Sequence, residues 1–311
     1  MTVAGSVEYL DGFPHTIQDC ADCGCRFTTH DPAVHDQLHT RPAIDYYADY
    51  RVLADRSLDW FRSGDAERLR AELSRSTKHR FIIEQVSRQP QSAQLLEIGC
   101  ARGHLTSYFV LMGRPILGID VSAEAITAAR AAFGDHFAVG LDSAQPPYDL
   151  IYHTGLIGCV ADPVTLTRRL LAMLKPGGKL FFNAPNRDAL RLPGQLWLDS
   201  APPPDLVTLF PAGFWRSRFG DAAIVTEQIE MLDADASMAA AARRLAGIRW
   251  MPPSPAPFDS GAHAWPQPAG GPRVMLARAI VKIGRTLRLS TLAAPRPAEF
   301  GLLVSISPKI A

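Results

Sequence analysis

The sequence predicts an α/β fold with a mostly parallel sheet covered on both faces. Three observations carry that expectation. Apolar runs with strand character alternate with helical patterns from Gln94 to Glu230. The first run ends in Glu97-Ile98-Gly99-Cys100-Ala101-Arg102-Gly103, a turn rich in small residues, and the next closes on Asp120. A late run, Phe300 to Ser307, supplies one more strand after a long interruption. Alternation of this kind implies helices on both faces, because each parallel crossover needs a connecting element.

The first 75 residues precede this pattern and read as a cap lobe. They hold Cys20-Ala21-Asp22-Cys23-Gly24-Cys25, four histidines and the cluster Tyr46-Tyr47-Ala48-Asp49-Tyr50. From Asp65 to Arg88 the spacing of Leu69, Leu73, Phe81, Ile82 and Val86 predicts helix leading into the core. Within the core, 76–232, strands are expected near 94–98, 115–119, 136–140, 148–153, 178–184 and 222–230. Helices are expected near 103–112, 122–133, 163–174 and 206–219. Ser122 with Glu124, and Asp162 before Pro163, are start signals for two of them, since a short polar side chain can bond the free amides of a first turn.

An insertion, 233–298, separates the sixth strand from the last, 299–311. It opens with an alanine-rich helical stretch, Ser237 to Leu245, and continues through Pro252 to Pro272, where Pro and Gly preclude regular structure. Arg273 to Leu289 then reads as a helix carrying Arg278, Lys282 and Arg285, and no acidic residue occurs from 260 to 298. Two readings stay open for it. It is a solvated face of a packed helix, or a lid or patch that meets anionic lipid or a phosphorylated acceptor.

Composition narrows the class. With 311 residues, 47% hydrophobic, the chain can bury one large core plus a smaller lobe. A net charge of +1 gives no global reason to expect nucleic acid as a partner. Without a basic-apolar leader or an apolar run of about 18 residues, the expectation is a cytoplasmic protein. Five cysteines in a chain this long do not make a disulfide framework.

The turn after the first strand reads as a nucleotide-type cofactor site. Small residues at Gly99, Ala101 and Gly103 let a ligand approach the backbone, and a helix starting near Gly103 aims free amides at an anionic group. Asp120 stands seventeen residues on, where a carboxylate can accept from two ribose hydroxyls.

Together these residues resemble the first motif of class I S-adenosylmethionine-dependent methyltransferases, with Ala101 where the family usually has Gly. Further matches follow in order. Tyr148 to His153 is similar to the family's fourth strand and Asp162-Pro163 to the start of the next helix. Leu174-Lys175-Pro176-Gly177-Gly178-Lys179-Leu180 is similar to the turn into the fifth, and Pro185-Asn186 fits just after it.

The resemblance implies a Rossmann-like sheet whose last strand inserts antiparallel between the fifth and sixth. It implies S-adenosylmethionine as cofactor and a small-molecule acceptor, with a hydroxyl oxygen ahead of carbon or nitrogen. Glu97 would orient the turn and the cofactor's amino group. Gly99, Ala101 and Gly103 would make room for its amino-acid end, and Asp120 would hold the ribose. Asp142 would meet the adenine with Ser143 beside it, while His153 and Thr154 would face the methionine portion. His153 is the expected general base, because an imidazole needs little tuning near neutral pH. Relatives often carry Glu-His before the Asp-Pro pair, where this chain has Gly158-Cys159, so His35, His39, Tyr46, Tyr47 and Tyr50 remain alternatives.

Trp197, Phe210, Phe214 and Trp215 are expected either in the core or as one wall of the acceptor pocket. Cys20-x-x-Cys23 has the spacing of a zinc knuckle, completed by Cys25 or by His15, His30, His35 or His39. No second such pair exists, so a loop that packs without metal is expected. Two rival functions stay open: a non-catalytic methyltransferase-like assembly protein, and a nicotinamide-dependent oxidoreductase. The latter predicts Gly at the position that Ala101 occupies.

Overall fold

The computed structural model describes residues 2–4, 14–28, 48–190, 195–198, 201, 203, 206–232, 237–238, 242, 272–286 and 296–309. His30, His35, His39, Tyr46, Tyr47, most of the alanine-rich stretch and the Pro-rich stretch up to 271 lie outside them. Strands β1 (Thr2–Ala4), β2 (Pro14–Asp19) and β3 (Arg26–Thr28) come first. Helices α1 (Ala48–Ser63), α2 (Ala66–Leu73) and α3 (Thr77–Ser87) follow. Next are β4 (Leu95–Ile98), α4 (His104–Leu111), β5 (Ile116–Asp120), α5 (Ala123–Phe133) and β6 (Phe137–Val139). Then come β7 (Tyr148–His153), α6 (Pro163–Ala172), β8 (Leu174–Ala184), β9 (Thr208–Leu209) and α7 (Phe214–Phe219). The order ends with β10 (Ala223–Leu232), α8 (Pro272–Thr286) and β11 (Arg296–Pro308).

Seven strands form the main sheet in the order β10-β11-β8-β7-β4-β5-β6. The five from β8 to β6 pair in parallel, and β11 runs antiparallel to both its neighbours. The last strand therefore sits between the fifth and the sixth, as expected. Every residue of β4 is buried, which suits the central strand of a sheet covered on both sides. Both predicted caps form: Ser122 Oγ accepts from the Ala125 amide at 3.2 Å, and Asp162 from that of Thr165 at 2.9 Å.

One face of the sheet packs Leu95, Leu150, Tyr152 and Phe181 against Leu69, Leu73, Ile82 and Val86 of α2 and α3 and Leu105 and Phe109 of α4. The expected lobe boundary at residue 75 falls between α2 and α3, and both helices join this one cluster. The other face packs Ile151, Leu180, Phe182 and Val304 against Leu170, Phe210, Phe214 and Trp215. Those aromatics, and Trp197, are core: Trp197 is buried and donates to the Ala201 carbonyl at 3.0 Å.

A second sheet, β1-β2-β3-β9, is antiparallel throughout. It corrects the expectation of one helix over 206–219. Thr208 and Leu209 pair with Phe27 and Arg26 of β3, and only Phe214–Phe219 is helical. An edge partner outcompetes the helical spacing, and Pro211 bars a helix from running through that point. Among the described residues no helix is long and apolar enough to cross a membrane.

Candidate functional site

The turn after β4 is held by the strand beside it. Gly99 and Cys100 donate their amides to the Ile119 carbonyl at 2.7 and 3.0 Å. Asp120 then ties the two strand tips together. Its Oδ2 accepts from the Ala101 amide at 2.8 Å and its Oδ1 from that of Ser122 at 2.9 Å. Burial raises the Asp120 carboxyl above its ordinary range, against the pull of the Ser122, Ala101 and Val121 amides.

Gly99, Ala101 and Gly103 all have positive φ, at 72°, 48° and 77°. For Ala101 this left-handed conformation costs about 1 kcal/mol. At Gly103 the requirement is also steric, since a Cβ there would lie 2.3 Å from the Phe137 ring. Glycine thus lets α4 begin tight against β6. Glu97, one residue before the end of β4, is buried. It accepts from Thr106 Oγ1 on α4, and from the Tyr152 hydroxyl at 3.1 Å. Burial pushes its carboxyl up to about 7, opposed by the two hydroxyls.

Sequence reading missed Thr106 and Tyr152. The signal was available, because a carboxylate inside an apolar strand demands donors. Tyr152 is its register partner on β7, and Thr106 and Ser107 interrupt an otherwise apolar helix. Lys78, His79 and His104 were missed as well. The His79 and His104 rings lie 5.3 Å apart, both buried, and Lys78 Nζ is 3.3 Å from where a Cβ on Gly155 would stand. Burial, aided by the Lys78 charge, holds His79 well below the ordinary imidazole range and His104 down to about 4. A cation and two neutral imidazoles thus gather at the tips of β4 and β7.

Asp142 and Ser143 lie in a single 3-10 turn after β6, and both are exposed. Asp142 bonds Arg169 of α6, while the Ser143 hydroxyl donates to the Val139 carbonyl at 2.6 Å. Thr154 follows β7 directly and is half-buried.

His153 lies in a different setting from the one expected. It is wholly buried, stacks on Phe182 with ring centroids 4.7 Å apart, and neither ring nitrogen has a hydrogen-bond partner. Burial lowers it to about 3. Residue alternation along β7 explains the difference: Tyr152 faces Glu97, so its neighbour points into the opposite layer. Buried there against Phe182, His153 presents no exposed nitrogen to an acceptor.

At the cysteine cluster the Cys20 amide donates to the Cys25 carbonyl at 2.8 Å, closing the turn between β2 and β3. Cys20, Cys23 and Cys25 are free thiols. Among the described residues no group of three or more His, Cys, Asp or Glu is arranged for a metal ion, and the candidate ligands His30, His35 and His39 lie outside those residues. Beside this turn, a polar cleft of about 270 Å³ is lined by Arg26, Arg187, Asp188 and Leu190. It is remote in sequence from the β4 turn, and Asp19 occupies both of its guanidinium groups.

The residues at β4 and β5 fit an adenosyl cofactor. The turn offers backbone with little side chain, a partly exposed carboxylate stands at the next strand tip, and a cation lies at the far end. Comparison with known proteins agrees. The methyltransferase domain family matches residues 66–223, more than half of the chain. The chain belongs to that family. Strand order and first motif place it in class I, whose cofactor is S-adenosylmethionine. It is 28% identical over 116 residues to the ubiquinone biosynthesis O-methyltransferase of Bordetella pertussis, covering 34% of this chain and 48% of that protein. The enzyme of the same name from Aliivibrio fischeri is 28% identical over 105 residues, 30% of this chain and 45% of that one. The chain thus spans about half the length of the curated relatives it matches. Among solved structures, the plantazolicin methyltransferase BpumL is 15% identical over 89% of this chain and 95% of its own, with a TM-score of 0.44.

Proposed function

We propose that this chain transfers a methyl group from S-adenosylmethionine to a small-molecule acceptor, at a hydroxyl oxygen. The observation that carries the reading is the shared edge of β4 and β5, where Asp120 accepts from the Ala101 amide and keeps a partly exposed carboxylate beside a turn with little side chain. The names of the curated relatives support oxygen as the atom methylated.

When bound, the cofactor supplies a methyl carbon activated by a positive sulfur. The chain's share is position and exclusion of water, which can account for most of the rate of such a displacement. Asp120 would accept from the ribose hydroxyls, and the Gly99–Gly103 backbone would take the amino-acid end. Glu97 would orient the turn and the amino group through the bonds that Thr106 and Tyr152 fix. Lys78 would face the carboxylate. Thr154 would line the methionine portion, and Asp142 and Ser143 the adenine.

Calorimetric titration with S-adenosylmethionine, S-adenosylhomocysteine and NADH tests the cofactor. Micromolar binding of the first two alone is expected, and Asp120→Ala should weaken it at least a hundredfold. Unchanged affinity in that variant refutes the ribose assignment. With a labelled methyl group and a panel of phenols and sugars, label on oxygen supports the acceptor class, whereas label on carbon or nitrogen alone rejects it.

A further inference from the structure

We propose that α8 is an interfacial helix that seats the protein on a membrane surface of anionic lipid. The helix lies in the insertion between the sixth and last strands, and the methyltransferase reading gives it no task. Most of its described side chains are exposed, Ile280 and Val281 being half-buried. Met275 is 63% exposed, Leu276 52% and Ile283 57%, beside half-buried Ile280. Leu276, Ile280 and Ile283 recur at intervals of four and three, so they form one apolar stripe along the helix. Arg278 and Lys282, four residues apart and both exposed, lie on the other side, roughly 150° around at about 100° per residue.

The charge of the segment is one-sided. From 260 to 298 the sequence holds six arginines and lysines and no acidic residue, while the whole chain is only +1. The remainder is therefore net negative, and two of the six cations, Arg278 and Lys282, stand exposed on the same helix as the apolar stripe. A helix that packs on its own protein buries such a stripe. One that lies in a headgroup layer shows it, with cations on the opposite face.

Anionic lipid is the occupant that these features favour. Its acyl boundary takes Leu276, Ile280 and Ile283, and its headgroups neutralise Arg278 and Lys282. A second copy of the chain would cover the stripe but bring the same uncompensated cations with it. At 15 residues with cations in its middle, α8 lies along a bilayer and does not cross it.

Co-sedimentation of the full chain with vesicles is the test, using phosphatidylcholine alone and phosphatidylcholine with about a third phosphatidylglycerol. Binding to the anionic vesicles is expected to exceed that to the neutral ones at least tenfold and to fall as salt rises. Arg278→Glu with Lys282→Glu should lower it at least twentyfold, at roughly fivefold per cation removed. Leu276→Glu with Ile283→Glu should lower it further at high salt, where apolar insertion dominates. S-adenosylhomocysteine affinity, read on the same samples, should stay unchanged in both variants, which shows that they are folded and separates this result from the cofactor assignment. Equal binding to both vesicle types, or no loss in either variant, overturns the proposal. So does a concentration-dependent dimer in sedimentation velocity that Leu276→Glu with Ile283→Glu abolishes while vesicle binding is absent, because a second copy would then cover the stripe.

Discussion

Glu97 and His153 show how differently two polar residues can sit in one sheet. Each lies near a strand tip and is buried, yet Glu97 has two hydroxyl donors and His153 has none. Burial of the Glu97 carboxyl therefore comes at a cost to stability. Its carboxyl is raised from 4.5 to about 7, so the folded state holds a proton that the unfolded chain has released between those values. Stability falls as pH rises through that window and the deficit is complete above about 7, amounting to roughly 3 kcal/mol. Glu97→Gln should accordingly be more stable than the parent at pH 8 and equal to it near pH 4, by thermal melts, while binding S-adenosylhomocysteine at least tenfold more weakly. A variant that melts lower at pH 8 shows that the carboxylate stabilises the fold instead.

For His153 the sign is opposite. A neutral imidazole held down to about 3 carries no protonation penalty above 6.5, and stability is lost as pH falls from there toward 3. His153→Leu keeps the shape against Phe182 and removes two unpartnered nitrogens, so a gain of about 1–2 kcal/mol at pH 5 is expected, with methyl transfer retained. Loss of turnover in a well-folded His153→Leu would return this residue to the list of bases.

The β4 turn and the start of α4 work as one element. Three successive positive-φ positions at alternate residues fold the chain back, and only glycine fits at 103 because the Phe137 ring stands where a side chain would go. Gly103→Ala meets both the strained φ and that ring, and should destabilise the protein by about 3 kcal/mol or more in denaturant melts. A shift under 1 kcal/mol would mean that α4 slides to make room.

Most of this element was legible in advance, because backbone constraints leave a trace in residue type: small residues at 99, 101 and 103, a carboxylate at or near the end of each strand. Side-chain direction was less legible. Whether His153 faced the site or the core depended on the parity of β7, which a strand buried on both faces does not display. Likewise β9 was hidden, since two residues gain strand geometry only from their partner β3. Thr106 and Tyr152 came to light through the carboxylate they serve, and no periodicity marks them.

At the scale of the whole molecule, the strand order β10-β11-β8 is the feature with the widest reach. Leu302, Val304 and Ile306 of β11 are fully buried, and β11 bonds both neighbours. Removing 296–311 leaves β10 without its partner and opens the hydrophobic layer under Phe182 and Trp215. Such a truncation should be recovered in the insoluble fraction, and a soluble, cofactor-binding product would show that the five parallel strands suffice.

The same arrangement bears on how the chain assembles. Leu232 and Arg296 are separated by 63 residues of sequence, and the strand that follows takes the slot between β8 and β10. Closure of the slot waits on a distant segment, so the parallel half can form early while β10 stays unpaired at the ribosome's pace. During that interval the exposed edges of β8 and β10 are the part of the nascent protein most open to pairing with another chain.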